Sequence, residues 1–391
     1  EFTEVADVYV INTCTVTNMG DKKSRQIISR ARRLNPDAII AVVGCYSQIA
    51  PKEVSAIEGV DVVLGTRNKG DVVYYVNKAR DEQTAQIYVE SVLRNKKFEA
   101  LNIEEYQDKT RAFLKIQDGC NRFCAYCIIP YSRGSVCSKE PRQVLDEINK
   151  LSEHGFKEII LSGIHTASYG LDLDSEITLV DLLEEIEKLD GIEGVRIGSI
   201  EPAFFTPEVI EKIRNMKKLC PQFHLSLQSG CNATLKRMNR RYTAEEYERI
   251  VNILRENIKD VSITTDVIVG FPGETEENFL DTLNLCKEVG YDSAFTFIYS
   301  RRNHTPADRM ENQVPDDVKH ERFNRLVDVI NKGVINGNKV YEGRTVEVLV
   351  EGPSKNDETK LMGRTRNGRL VNFPGDSSMI GKLVNVHINR A

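Results

Sequence analysis

The chain has 391 residues, 40% of them hydrophobic and 28% charged, an ordinary globular composition that excludes disordered and fibrous classes and allows two or three domains. Lys plus Arg total 53 against 58 Asp plus Glu, a net charge of -5, so a polyanionic partner has to be met locally, not by the chain as a whole. No apolar run approaches the ~18–20 residues of a membrane span and no basic-then-apolar leader opens the sequence; a cytoplasmic, membrane-free protein is expected.

In chain order, Val5 to Asn12 is an apolar, β-branched run that reads as a strand. Because a strand is already under way so near Glu1, a preceding segment is expected upstream. After Cys14, Lys22 to Leu34 is a basic amphipathic helix stopped by Asn35-Pro36, and Ala38 to Val43 is a second buried strand closing at Gly44-Cys45. A helix over Pro51 to Ala56 and a strand over Val60 to Leu64 follow. This alternation predicts a small α/β domain with a parallel sheet over residues 1–100. Ligands of such sheets sit at strand carboxyl ends, and Cys14 and Cys45 each follow one, so the two could face one site. Asp81 to Lys109 is polar and aperiodic and reads as a linker.

A second α/β series occupies residues 101–335. Strands are expected at Ala112 to Ile116, Glu158 to Leu161, Val195 to Ile200, Phe223 to Leu227, Val261 to Val269 and Ser293 to Tyr299, with helices near 142–154, 178–189, 206–218, 243–257 and 274–289. Six βα units with right-handed crossovers predict an incomplete (β/α)6 barrel. A last helix near 315–333 leads into residues 336–391, whose short alternating strands between Gly, Pro, Asn and Asp predict a small β-barrel. That tail carries nine Lys/Arg and six Asp/Glu, the locally basic part of the chain.

Nine cysteines in a chain without a secretory signal argue against a disulfide framework and for metal, iron-sulfur or redox chemistry. The strongest pattern is Cys120-Asn-Arg-Phe-Cys124-Ala-Tyr126-Cys127, a C-x3-C-x2-C after the first strand of the barrel series. Three such thiolates can hold three irons of a 4Fe-4S cluster and leave the fourth iron open. The alternative is zinc, which needs a fourth ligand and favours paired C-x2-C knuckles; Cys137 could supply that ligand. Cys137, Cys220, Cys231 and Cys286 otherwise lack ligand spacing and read as small buried hydrophobes.

The cysteine loop, with an aromatic before its third thiol, resembles the radical S-adenosylmethionine (SAM) superfamily. Together with Asn12-Thr13-Cys14-Thr-Val-Thr-Asn18, Gly44-Cys45-Tyr46-Ser-Gln48, Leu227-Gln228-Ser229-Gly230 and Asp266-Val-Ile-Val-Gly270-Phe-Pro-Gly273, it looks like the radical SAM methylthiotransferases. The resemblance implies two 4Fe-4S clusters: a SAM-binding one on Cys120, Cys124 and Cys127, and an auxiliary one on Cys14, Cys45 and a third cysteine expected before Glu1. It makes the tail a TRAM module that contacts RNA. It also implies that a deoxyadenosyl radical removes hydrogen from adenosine C2, where a methylated sulfur from the auxiliary cluster is then attached, with the N-terminal domain and the TRAM module forming a lid with the RNA. The implied partners are the anticodon stem-loop of tRNA and an electron donor such as flavodoxin or ferredoxin, with the protein a monomer. Thr13 to Asn18, Asp21 to Arg25, the Gly163 to Gly170 loop and His224 to Gln228 look most like enzymes acting on N6-threonylcarbamoyladenosine at tRNA position 37. Tyr291 to Tyr299 and Glu351 to Lys355 resemble the sister enzymes acting on isopentenyladenosine, and a ribosomal-protein aspartate is a further alternative. A single-cluster radical SAM enzyme and a non-catalytic iron-sulfur or zinc RNA-binding protein also stay open.

Other positions are read with their plainer roles beside them. Ser162, Gly163, Ser199, Glu201, Gln228 and Gly270 stand at or near strand carboxyl ends, where barrel sites form, and with Tyr126, Arg240 and Asp266 are expected to contact SAM; turn capping is the alternative. Arg133, Lys236, Arg237 and Arg241, with Lys360, Arg364, Arg366 and Arg369 of the tail, are expected on tRNA phosphates, although charge runs are more often solvated faces. Tyr341 and Phe373 could stack on bases or fill the core. His165, His224 and His304 read as loop or core histidines.

Overall fold

The computed structural model describes residues 4–92, 98–99 and 110–391, and the chain divides into two compact units. One unit is built on four parallel strands in chain order, Val8–Thr13, Ile39–Gly44, Val62–Leu64 and Gln86–Tyr88. Helix Asn18–Leu34 begins because Thr17 accepts a hydrogen bond from the Gly20 amide, and it buries Ser24, Ile28 and Ala31 against one sheet face. Ile28 is fully buried, worth ~2–3 kcal/mol of apolar transfer. Helix Val72–Glu82 covers the other face through Val76 and Ala79. Sheet faces apolar on both sides explain why the strands read as continuous hydrophobic runs. The fourth strand, Gln86–Tyr88, lies inside the stretch expected to be linker; three residues are too few for a period to show. The rest of that stretch falls largely outside the described residues.

Asp118–Cys137 and Ser300–Met310 belong to this same unit, although the sequence placed both in the central domain. The cysteine loop therefore shares a compact body with the N-terminal sheet.

The second unit holds six parallel strands met in chain order. Arg111–Lys115, Glu158–Ser162 and Gly194–Ile197 form one sheet, and Gln222–His224, Ser262–Val269 and Ser293–Ile298 form another. Parallel bridges Val195↔Leu219 and Ile200↔Leu225 join them, giving the expected open (β/α)6 arc with helices packed outside around one core. Helices Leu179–Glu187, Ala244–Asn257 and Glu276–Val289 start with reciprocal capping boxes at Thr178, Thr243 and Thr275. Helix Asn232–Arg237 was not expected.

Helix Asp316–Lys339 runs past the anticipated boundary at 336 and leads to a four-stranded antiparallel sheet of Thr345–Pro353, Lys360–Thr365, Leu370–Pro374 and Leu383–His387. This sheet closes one end of the arc. Arg111 opens its strand and pairs with Glu351 at 3.1 Å. Arg366 donates to the carbonyl of Glu193 at 3.0 Å, and Asn367 to that of Asp260 at 3.0 Å. Arg369 pairs with Asp292. All four contacts lie at strand beginnings, so the tail sits at the amino-terminal end of the barrel and not at the carboxyl end where the expected lid belongs.

Candidate functional site

In the first unit, Thr13 and Gly44 are register partners, so Cys14 and Cys45 leave neighbouring strands side by side. Thr13 Oγ1 donates to the Val43 carbonyl at 2.7 Å and accepts from the Tyr46 amide at 3.2 Å, tying the two strand ends together. Gly44 turns at φ +101, where a Cβ would lie 2.6 Å from Asn12 Oδ1. Cys14 is exposed and Cys45 buried.

The Cys120 loop is set by Gly119, at φ +70, where a Cβ would fall 2.0 Å from the Ser135 carbonyl oxygen. The Cys120 amide donates to Gly134 O at 3.0 Å and the Cys127 amide to Cys124 O at 2.9 Å. A cluster gives each thiolate its own iron, whereas zinc draws its thiolates to about 2.3 Å of one centre. A set of three thiols in one eight-residue loop therefore fits the donor chemistry of a cluster.

Two arginines brace these loops, and neither role was read from sequence. Arg133, expected on tRNA, donates through Nε to Cys45 Sγ at 3.1 Å and through Nη1 to Asp118 Oδ2 at 3.3 Å. Burial opposes its charge, but Asp118 and Cys45 outweigh that and hold its pKa above the ordinary value. Arg302 is buried and pairs with Asp21 Oδ2 at 2.6 Å while also reaching Thr15, the residue after Cys14.

In the second unit, the expected SAM residues divide. Glu201 is buried at a strand's carboxyl end, with His165 Nε2 3.2 Å and Arg240 Nη2 3.8 Å from its carboxylate. His165 lies in a loop, as expected, and joins this polar group; its amide is also held by Gln117 Oε1 at 2.8 Å. His224 Nε2 lies 3.0 Å from Asp266 Oδ2. Gln228 adopts φ +68, unusual for a side-chain-bearing residue, and its amide donates to Asp266 O at 2.8 Å. Ser199 is exposed, and its carbonyl accepts from Thr166 Oγ1 at 2.8 Å. Ser162 Oγ approaches Leu114 O at 3.4 Å, and a Cβ on Gly163 would meet Gln117 Oε1 at 2.8 Å. Gly270 serves its own turn: its amide donates to Glu274 Oε1 at 2.9 Å, and Glu274 is paired with buried Arg322 at 3.0 Å. Tyr126 belongs to the first unit, half-buried beside Cys127.

The barrel interior is a cavity of about 1110 Å3, lined by Phe113, Ile160, His224, Thr264, Asp266 and Phe295 and floored by the C-terminal sheet. Phe295 and Phe297 alternate onto the same inner side of strand Ser293–Ile298 and are 61% and 49% exposed, giving the interior an apolar wall.

The basic residues also divide. Arg366 and Arg369, expected on tRNA, are turned into the protein as the tail's anchors, Arg369 also lying 4.4 Å over the Tyr341 ring. Arg364 pairs with Glu351 at 3.2 Å, and Arg237 donates to Thr234 and Asn278. Lys236 and Arg241 are exposed, while Lys360 pairs at the surface with Asp357 at 2.9 Å. Tyr341 and Phe373 are buried. Cys220 and Cys286 are buried thiols whose pKa values burial pushes up to about 11 and about 12.

Family comparisons bear on this arrangement. Residues 114–286 match the Radical SAM superfamily, 1–65 the Uncharacterized protein family UPF0004 and 339–391 the TRAM domain. Over 99% of its length the chain is 48% identical to the tRNA-2-methylthio-N(6)-dimethylallyladenosine synthase of Clostridium perfringens, covering 88% of that protein. The chain belongs to the radical SAM tRNA methylthiotransferases. The family works with SAM and two 4Fe-4S clusters, and the protein is an enzyme of the methylthiotransferase class. The similarly named proteins of Clostridium beijerinckii and Clostridium botulinum (strain Eklund 17B / Type B) are 45% and 47% identical, each over 99% of this chain and 86% of theirs. These relatives carry the dimethylallyladenosine name, not the threonylcarbamoyladenosine one first expected. Among solved structures, the radical S-adenosylmethionine methyltransferase TsrM from Kitasatospora setae superposes with a TM-score of 0.59 at 16% identity, over 78% of this chain and 65% of that one, a likeness of fold alone. Among the described residues no helix is long and apolar enough to cross a membrane.

Proposed function

We propose that the protein adds a methylthio group to C2 of N6-dimethylallyladenosine (isopentenyladenosine) in the anticodon stem-loop of tRNA, at position 37. The observation that carries this reading is the 48% identity, along nearly the whole chain, to a relative named for that product.

Cys120, Cys124 and Cys127 are the residues to hold the SAM-binding cluster, with Cys14 and Cys45 two ligands of the auxiliary one; when bound, the first supplies an electron to SAM and the second a sulfur to the product. Glu201, kept in place by His165 and Arg240, presents a buried carboxylate suited to SAM hydroxyl or amine groups. His224 and Asp266 line the interior as a second polar pair. Exposed Lys236 and Arg241 are the cations best placed to meet phosphates.

The test is anaerobic incubation of the reconstituted protein with SAM, reductant and tRNA carrying either dimethylallyladenosine or threonylcarbamoyladenosine, followed by mass spectrometry of the nucleosides. A methylthio adduct on the dimethylallyl nucleoside alone is expected; an adduct confined to the threonylcarbamoyl nucleoside would refute the substrate assignment.

A further inference from the structure

Arg133 sits where no tRNA phosphate is needed to explain it. Its side chain is 23% exposed, and it meets a sulfur and a carboxylate with two arms of one fork: Nε to Cys45 Sγ at 3.1 Å and Nη1 to Asp118 Oδ2 at 3.3 Å. Asp118 is itself oriented by the Gly119 amide, which donates to Oδ1 at 2.9 Å, and Cys120 follows directly. The backbone of this turn is held independently, by Arg67 Nη2 on the Arg133 carbonyl at 2.6 Å and Thr66 Oγ1 on the Ser132 carbonyl at 2.8 Å. The turn would therefore keep its place without the guanidinium contact, which leaves the contact to Cys45 as a separate feature.

A guanidinium donates hydrogen bonds and does not give up its proton. A cluster ligand that receives such a bond carries negative charge more comfortably, and hydrogen bonds to the sulfurs are among the levers that set cluster potentials. We propose that Arg133 is a positioning residue of the auxiliary site, donating Nε–H to the Cys45 thiolate and raising the reduction potential of the cluster held there, with Asp118 fixing the fork beside the SAM-cluster loop. The inference rests on the reading that Cys45 is an auxiliary ligand.

The test uses the full-length, anaerobically reconstituted protein in a background of Cys120→Ala, Cys124→Ala and Cys127→Ala, which leaves the auxiliary cluster alone, and follows its midpoint by redox titration with electron paramagnetic resonance. Arg133→Gln should shift the midpoint to lower potential, with Arg133→Lys between it and the parent. Thr66→Val, which loosens the same turn without touching sulfur, should leave it in place. Equal shifts in Arg133→Gln and Thr66→Val, or no shift in Arg133→Gln, would overturn the proposal. If Arg133→Gln takes up no cluster, Arg133→Lys decides: a lowered midpoint supports the role and an unchanged one overturns it. Cys45→Ala distinguishes the underlying reading, since a cluster retained with unaltered spectrum in that variant would show that Cys45 is not a ligand.

Discussion

Arginines are used differently in the two units. In the sheet-and-cysteine unit, Arg133 and Arg302 point at the loops carrying Cys45 and Cys14. In the barrel-and-tail unit, Arg366 and Arg369 clamp the C-terminal sheet onto the starts of barrel strands through Glu193 and Asp292. One pair shapes a site and the other holds an assembly together. An arginine in a basic run is thus a candidate for three jobs, and only its partner decides among them.

The largest expected effect is on the cysteine side. Cys124→Ala should abolish 5'-deoxyadenosine formation from SAM, measured by chromatography; persistent formation would show that the loop is not the SAM-cluster site. Next comes thiol reactivity. With its pKa pushed up to about 12 by burial, Cys286 stays protonated at every pH below that, and at pH 8 its thiolate fraction lies about a thousandfold under that of an ordinary thiol. In the cluster-free protein, mass spectrometry after iodoacetamide should find exposed Cys14 alkylated well before Cys286.

On the anchoring side, Arg369→Ala leaves Asp292 without its cation and should cost about 2 kcal/mol, lowering the Tm by roughly 4–8 °C; an unchanged melting curve would break the contrast drawn between the arginine pairs. The smallest effect is expected at the surface. Lys236→Ala should alter stability by less than ~0.5 kcal/mol while reducing the salt slope of tRNA binding by roughly 0.7–0.9 for a lost phosphate contact, measured by titration at several salt concentrations.

What could be read in the sequence was what local pattern controls. Strand and helix periodicity and the C-x3-C-x2-C spacing act over a few residues, so the open barrel and the cysteine loop were legible. The contacts of Arg133 with Cys45 and of Arg302 with Asp21 were not, because those partners lie 88 and 281 residues away in sequence. For the same reason Arg366 and Arg369 read as tRNA contacts, although the fold turns them inward. Strand Gln86–Tyr88 was too short to announce itself. On substrate the sequence pointed two ways: Thr13 to Asn18, Asp21 to Arg25, Gly163 to Gly170 and His224 to Gln228 favoured the threonylcarbamoyl group, whereas Tyr291 to Tyr299 and Glu351 to Lys355 resembled the isopentenyladenosine enzymes whose product the relatives' names carry.

The most direct measurement of the division of labour between the two cysteine sets is the Cys14→Ala variant incubated with SAM, reductant and dimethylallyl-modified tRNA, with 5'-deoxyadenosine and methylthiolated nucleoside quantified in the same reaction. Formation of 5'-deoxyadenosine without the methylthio product is the expected result. Methylthiolation at the parent level would contradict the assignment of Cys14 to a sulfur-supplying cluster.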